Sequence, residues 1–459
     1  MRTFQLEQTD KEITSQAGIA LVGVAVMKYT NLAQAINAAL PKRHGTTTSD
    51  IIMTYLGLLA QGKNDFESIN NIREDRFFHQ ALDLQKAVPT EASIRLRIEQ
   101  EAEPLEPLIN QSNVEFLNNS GAPITTLATG HIPLDIDVTP HDNSNTQKEQ
   151  VSRTYKGTDG YAPIACYLGQ EGWDIRYELR PGKQHSQCEF IPVLERTFDA
   201  VHQVLKKPTP SQQMILLRLD SAHDAKETRG YLQVLESPHT VDFIIKWNPR
   251  TEASEVNKAK WFQYAKQRGP LTHWQIPREG KQIATFSLNI EEQHDGKTYK
   301  IRRVMQITER SIDKHGQRLL IPELTLEGWW TTLGSDYPDQ QILALYRDHA
   351  TSEQFHSEIK TDLDLERLPS GKFASNKLIL TLGLFTYNIL KWIGLVGLMG
   401  EDSPIRHKAK RRRVRTVMQE LIYMAAHIYE RGHRLIMRFG RTATGYQAFQ
   451  RVYQQLCYG

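Results

Sequence analysis

The sequence predicts a mixed α/β protein: an α/β core interrupted by a β-rich insertion, with helical N-terminal and C-terminal regions. Three observations carry this. Residues 126–248 hold short apolar or alternating runs interspersed with amphipathic helical patterns. A further helical stretch that could complete that core comes only at 340–400, and residues 249–339 between them read as strands and turns. Segments 1–125 and 401–459 lack the period-two pattern and read as helical.

At 459 residues the chain is long enough for about three domains. A hydrophobic share of 39% and a charged share of 24% are those of a soluble globular protein. The net charge of +3 is too small to name a partner by itself. Cys166, Cys188 and Cys457 have neither pairing nor metal-ligand spacing, which suits reduced thiols in the cytosol. The apolar run Gly18–Met27 follows an acidic, polar start, unlike a secretory signal. There is no internal repeat, and no Gly-rich phosphate loop calls for a nucleotide cofactor.

In the N-terminal region, Thr47–Asp50 offers N-caps to the apolar run Ile51–Ala60, and Gly62 is a natural stop. A second helix is expected over Phe66–Leu82. A third begins at Pro89 with Thr90 as N-cap and carries Arg95 and Arg97. Such a domain, with arginines on one helix, could hold duplex DNA or be an all-α lid; a DNA-binding domain over 1–125 is the expectation.

From His131 the period changes to two. LDIDVT (134–139) puts Asp135 and Asp137 on one face of a half-buried strand. Tyr161–Leu168 and Trp173–Leu179, separated by Gly169–Gly172, complete a meander. Cys188–Lys206 is an amphipathic helix ended by Lys206-Lys207-Pro208. MILLRLD (214–220) reads as a strand buried on both faces and ending in Asp220. A helix over Ala225–Leu235 and a strand over Val241–Trp247 follow. In the insertion, Ile283–Asn289, Lys297–Thr308, Leu319–Leu326 and Trp329–Leu333 are β-like, with turns at Asp295-Gly296 and His315-Gly316.

The helix expected over Leu345–Lys360 carries Tyr346, His349, Glu353 and Lys360 on one stripe, since residues four and seven apart nearly superimpose; Glu358 lies elsewhere on the wheel. Alone, that stripe could be a solvated face. Further on, Leu378–Met399 is apolar enough for a membrane span, but Asn388, Lys391 and three glycines interrupt it, so a helix buried against the sheet is expected and no membrane. RHKAKRRRVR (406–415) leads into a helical pattern over Val417–Arg431. Arg411, Arg412 and Arg413 are the expected phosphate-backbone contacts there, a solvated tail being the other reading.

The order β-β-β-α-β-α-β, with an aspartate on the first strand, one ending the fourth and a glutamate on a late helix, resembles the ribonuclease-H-like fold. More closely it resembles the catalytic domain of DDE transposases of bacterial insertion sequences. Tyr346, His349, Glu353 and Lys360 match the spacing of the branch with a Y-x2-R-x3-E-x6-K signature, with histidine at the arginine position and Arg347 nearby. DIDVT and RLDSAHD resemble the first and second acidic blocks, and ITSQAGIALVG resembles the opening of the IS-thirteen-eighty group. The resemblance implies Asp137, Asp220 and Glu353 as catalytic metal ligands.

In-line attack on a phosphodiester is served by two Mg²⁺ ions roughly 3.5–4 Å apart, with Mn²⁺ able to substitute, and Mg²⁺ takes hard oxygen ligands such as three carboxylates. Asp135 is expected as a neighbour or salt-bridge partner of that set, and Asp142 and Asp224 in turns. Tyr346, His349, Lys360 and Arg347 are expected to touch DNA. By analogy with the family's insertion, Trp329 or Trp330 is placed to stack on a flipped base; packing between insertion and core is the alternative. The expected function is cut-and-paste transposition: cleavage at terminal inverted repeats through a hairpin and transfer into target DNA, by a homodimer when two ends are paired. The expected location is the bacterial cytoplasm, at the nucleoid. A stand-alone nuclease of this fold, or a catalytically inactive DNA-binding derivative, is the alternative; the presence of all three acidic residues argues against the latter.

Overall fold

A computed structural model describes residues 3–205 and 213–458 of the chain; the helix end expected at Lys206-Lys207-Pro208 lies outside the described residues. After a short strand β1 (Ile13–Thr14), the N-terminal region is helical: α1 (Ile19–Tyr29), α2 (Leu32–Ala39), α3 (Thr48–Leu59), α4 (Arg76–Ala81) and α5 (Glu91–Asn119). Thr47 accepts from the Asp50 N–H and Thr90 from the Ser93 N–H, each satisfying a first-turn donor that has no partner within its helix. The single helix expected over Phe66–Leu82 is two pieces, a 3₁₀ turn at Phe66–Asn71 and α4. The break comes at Asp75, whose carboxylate caps the Phe77 and Phe78 N–H groups and starts α4 afresh. On α5, Arg95 pairs with Glu67, and Arg97 with Thr48 and Glu101. Both arginines expected to be open to DNA are therefore engaged within the protein.

The core follows the expected order. It consists of β2 (His131–Val138), three short strands β3 (His141–Asp142), β4 (Ser152–Arg153) and β5 (Asp159–Tyr161), then β6 (Ile164–Leu168), β7 (Trp173–Glu178), α6 (Phe190–Val204), β8 (Met214–Leu219), α7 (Lys226–Val234) and β9 (Thr240–Lys246). Strands β3–β5 form a separate small sheet, too short to register as a period in the sequence. In the main sheet β2, β6 and β7 are antiparallel, while β8 and β9 run parallel to β2.

The insertion comprises α8 (Glu255–Gln267), β10 (His273–Arg278), β11 (Lys281–His294), β12 (Lys297–Ile312) and β13 (Arg318–Thr331). Helix α8 was not expected; only Phe262 and Ala265 on it are buried, so it shows no apolar stripe. Asp295 and Gly296 form the two-residue hairpin loop between β11 and β12, both at positive φ as a type I′ turn requires. The two runs expected at Leu319–Leu326 and Trp329–Leu333 are one strand. At Trp329–Thr331 it pairs antiparallel with Ile244–Lys246 of β9, so the insertion continues the core sheet to nine strands, in the order β10-β11-β12-β13-β9-β8-β2-β6-β7.

Beyond it come α9 (Asp339–Arg347), a 3₁₀ turn (Asp348–Thr351), α10 (Ser352–Ser357), a π-helical turn (Glu358–Asp362) and α11 (Phe373–Leu398). The most apolar window of α11 is 89% buried, against α5 and β7. The two polar residues that interrupt it are satisfied inside: Asn388 donates to the Asp174 carbonyl (2.7 Å) and Lys391 to that of Gly172 (2.6 Å). The chain closes with α12 (Val414–Val417), a π-helical turn (Met418–Ile422), β14 (Ala426–Arg431), β15 (Arg434–Phe439) and α13 (Tyr446–Tyr458). The helix expected over Val417–Arg431 thus ends at Ile422. The residues after it alternate, burying Ala426 and Ile428, and are captured as a strand between β15 and the distant β1. The main hydrophobic core runs from α1 through the sheet to α13, and a second, smaller cluster joins Leu216 and Ile244 of the sheet to Trp329 and to Ile342 and Leu343 of α9.

Candidate active site

Parallel pairing of β2 with β8 aligns Asp135 with Arg218 and Ile136 with Leu219, so the next residues on the two strands, Asp137 and Asp220, emerge side by side. They stand at the carboxyl ends of parallel strands, where an α/β sheet presents its ligands. One step back, Asp135 and Arg218 form a buried, two-pronged ion pair (2.6 and 2.7 Å). Arg218 also donates to the Leu345 carbonyl (2.8 Å) and contacts Asp348 (3.3 Å), tying the end of α9 to the sheet.

The helical run above these strand ends brings its stripe down onto them. Asp137, Asp220, Tyr346, Arg347, His349, Glu353 and Lys360 line one cleft of about 760 Å³, together with Tyr155, Lys156 and His356. The run bends through 3₁₀ and π-helical turns yet keeps the expected stripe facing one way. Below it, Phe355 packs on Gly172, the residue entering β7. Gly172 has φ +69°, and an added Cβ would meet the ring at 2.1 Å, so only glycine fits there.

Each aspartate at the site is held against a histidine. His356 Nε2 lies 3.4 Å from Asp137 Oδ2, and its Nδ1 is 3.0 Å from the Tyr167 hydroxyl. His223 Nδ1 lies 2.8 Å from Asp220 Oδ1, which also accepts the Ala222 N–H. His349 Nδ1 is 2.9 Å from Asp135 Oδ1, at an angle that makes it an ion-pair contact rather than a hydrogen bond. Burial pushes the Asp137 carboxyl up, but His356, His349 and His223 outweigh it and its pKa lies below the ordinary value. Burial lowers the His356 pKa more than Asp137 raises it, so the ring is neutral at pH 7. For His349 the balance is reversed: burial lowers its pKa, but Asp135 wins and raises it. Burial brings Lys360 down to about 8, and its ammonium donates to the Pro140 carbonyl. Burial, with Asp137 and Asp220 adding to it, pushes the Tyr155 phenol up to about 12.

Asp137, Asp220 and Glu353 offer hard oxygen donors that suit a divalent cation such as Mg²⁺. Among the described residues, Asp220 Oδ2 and both Glu353 oxygens have no hydrogen-bond partner, which leaves them available as ligands. Also among the described residues, no three His, Cys, Asp or Glu side chains converge on a single metal-holding point. Glu353 lines the same cleft and is exposed. The donor chemistry fits; the complete coordination sphere is not formed.

Several expected DNA contacts are engaged by neighbours within the protein, although His349 and Arg347 still line the cleft. His349 faces Asp135 in a buried position, and Arg347 donates to Gln306 of the insertion (3.1 Å). Trp329 and Trp330 are buried, at 2% and 5% exposure, and neither presents a ring to an incoming base. Trp329 packs against Tyr346, and Trp330 lies between the guanidinium groups of Arg229 and Arg303.

Arg411, Arg412 and Arg413, expected as phosphate contacts, all have partners within the protein; Arg411 and Arg412 are drawn in, whereas Arg413 stays exposed. Arg411 pairs with buried Glu358 (2.5 Å) and lies over the Phe355 ring, whose other neighbour is the Lys391 ammonium. Arg412 donates to the carbonyls of Leu398, Ile405 and His407. Arg413 grips Asp362 at 2.7 and 2.9 Å. Arg411 and Arg413 clamp the helical run bearing Glu353 because Glu358 and Asp362 are buried carboxylates that need a cation. Asp224, expected in a turn, is likewise buried against Arg229. Asp142, also expected in a turn, instead ends the short strand β3, and its carboxylate accepts the Ser144 N–H of the turn that follows.

Sequence reasoning missed His356, His223, Arg218 and Tyr155. The spacing held a signal for one of them, since His223 follows Asp220 by three residues and pairs with it. The family model described as transposase DDE domain group 1 matches residues 1–458. No curated protein matches the chain. Among solved structures, a cryo-EM structure of a piggyBac transposase synaptic complex with hairpin DNA is 12% identical. The match covers 91% of this chain and 82% of that one, with a TM-score of 0.38.

Proposed function

The chain belongs to the DDE transposase family, and we propose that it excises an insertion sequence at its terminal inverted repeats and joins it to target DNA. It would act as a homodimer in the bacterial cytoplasm, at the nucleoid, with Mg²⁺ or Mn²⁺ and no nucleotide. The observation that carries this reading is the emergence of Asp137 and Asp220 side by side from parallel strands into the cleft that Glu353 lines. The sheet order, three antiparallel strands followed by two parallel ones, supports a ribonuclease-H-like core. That Tyr346, His349, Glu353 and Lys360 all line one cleft supports the Y-R-E-K branch and the IS-thirteen-eighty-like group within it.

The chemistry that divalent cations supply when bound is activation of the attacking oxygen and stabilisation of the leaving one. Asp137, Asp220 and Glu353 are the residues that would hold them. His356 and His223 fix the rotamers of the two aspartates, and the Asp135–Arg218 pair holds the strand ends beneath. Lys360 and Arg347 offer positive charge to the scissile strand. With purified protein and labelled repeat ends, joining of a liberated 3′ end to a second duplex supports the transposase reading. Cutting without joining points to a nuclease, and binding without cutting to an inactive derivative.

Lys360 gives this reading a pH signature. Its pKa in the folded protein, about 8, is below the 10.5 of a free lysine, so its charge is lost as pH rises through 8. Over that same window the unfolded chain binds the extra proton and stability rises with pH. As a phosphate contact, Lys360 should contribute about 0.9 to the slope of log affinity against log salt at pH 7 and little at pH 9. Lys360→Arg is expected to keep the full slope at both pH values. A wild-type slope identical at pH 7 and 9 would remove Lys360 from the DNA surface.

A further inference from the structure

The C-terminal hairpin β14–β15 serves neither the cleft nor the clamp on the Glu353 helix. Its register sorts its side chains into two faces. Ala426/Phe439 and Ile428/Met437 lie on one face with Glu430/Leu435; Ala426 and Ile428 there are buried, and Phe439 packs with its ring tilted against Phe449 of α13. The other face holds His427/Arg438, Tyr429/Ile436 and Arg431/Arg434. Arg431, Arg434 and Arg438 are exposed. Among the described residues none of the three has an ion-pair partner; Arg438 instead lies over the Tyr429 ring, 4.7 Å from its centroid. Arg431 and Arg434 stand directly opposite each other beside the two-residue turn Gly432-His433. Two like charges in that arrangement destabilise a hairpin unless an anion lies between or across them.

We infer that this hairpin is a DNA-binding ribbon, with Arg431, Arg434 and Arg438 contacting the phosphate backbone of duplex DNA. The inference rests on the reading above that the protein acts on DNA. A two-stranded ribbon has the width that the major groove admits, and guanidinium groups suit phosphate oxygens. The apolar face docks the ribbon on α13, and β1 pairs its β14 edge, so the cationic face is presented by a fixed support.

The test measures the affinity of full-length protein for a terminal-repeat duplex and for an unrelated duplex across salt concentrations. Arg431→Gln/Arg434→Gln/Arg438→Gln together should flatten the salt slope by about 2–3 units, from about 0.9 per phosphate, whereas the triple lysine variant keeps it. Loss on both duplexes means general backbone contact, and loss on the repeat alone means a role in end recognition; either supports the ribbon. An unchanged slope on both duplexes, with the wild type binding, overturns the inference and leaves the transposase reading standing. So does loss of binding only to anionic lipid vesicles. A wild type that binds neither duplex overturns the transposase reading itself. Because all three arginines are exposed, the melting temperature should stay near that of the wild type; should the triple variant unfold, Arg434→Gln alone must lower the slope by about one unit.

Discussion

Replacing Asp137, Asp220 or Glu353 by alanine is expected to abolish cleavage and joining while DNA-end binding stays near the wild-type level. The carboxylates would hold the cations that stabilise charge in the transition state, an effect worth several kcal/mol, so each loss should cost about 10³-fold or more in rate. Binding follows a different set of groups, the cationic side chains facing phosphates, and removing a carboxylate from the cleft does not weaken it. The structure supplies an internal control. Asp135 lies two residues from Asp137 on the same strand, yet it points into a buried ion pair and does not line the cleft. Its replacement should lower stability first and activity only as a consequence. Single-turnover cleavage of a labelled end, with binding measured alongside, checks both; full activity in any one of the three alanine variants sinks the site assignment.

Arg218→Met destabilises the protein by about 3–5 kcal/mol, the range for removing one partner from a buried pair. Side-chain exposure at this pair is 2% for Arg218 and 4% for Asp135, so the stranded carboxylate has no water to turn to. The Leu345 carbonyl at the end of α9 loses its donor in the same step. His349 remains beside Asp135, and its protonation offsets part of the loss at low pH. The destabilisation should therefore grow as pH rises through the elevated pKa of His349. The double variant Arg218→Met/Asp135→Leu should recover much of the loss, because two apolar groups do not strand a charge. Denaturant unfolding at pH 5.5 and 8 tests this; a single variant as stable as the wild type would show that the pair contributes nothing.

The strand order of the core and the stripe over Tyr346–Lys360 were legible because both follow from periods of two and 3.6 that burial imposes locally. Asp137 and Asp220 were legible as singled-out residues, and the side-by-side emergence of the two is a matter of register between strands 83 residues apart, which no local pattern carries. What misled was charge. A run holding Arg411, Arg412 and Arg413 reads the same whether its partners are phosphates or the buried Glu358 and Asp362 some fifty residues upstream. Conversely, the hairpin after Ile422 hid because AHIYER fits a helix as well as a strand, and the choice was made by its pairing with β15 and with residues at the other end of the chain. Trp329 and Trp330 show the same limit: indole rings at an insertion boundary can face a base or a neighbour, and here Tyr346, Arg229 and Arg303 take them.

The insertion and the catalytic strands form one sheet, and this has a mechanical consequence. Strand β12 runs from Lys297 to Ile312, and its part beyond Val304, the residue level with Trp329, is an arm of roughly 25 Å at about 3.3 Å per residue. Within the sheet the insertion meets the core through the strand pairs Trp329–Lys246, Trp330–Ile245 and Thr331–Ile244, and beside them Glu292 of β11 grips Arg229 of α7 and Arg302 of β12 grips Asp339 of α9. A load at the turn after Ile312 is thus passed to this joint and to the ion pairs beside it. Trp329, at one side of that joint, rests on Tyr346 in the cleft wall. Whatever grips the distal hairpin gains leverage over the width of the cleft without touching it.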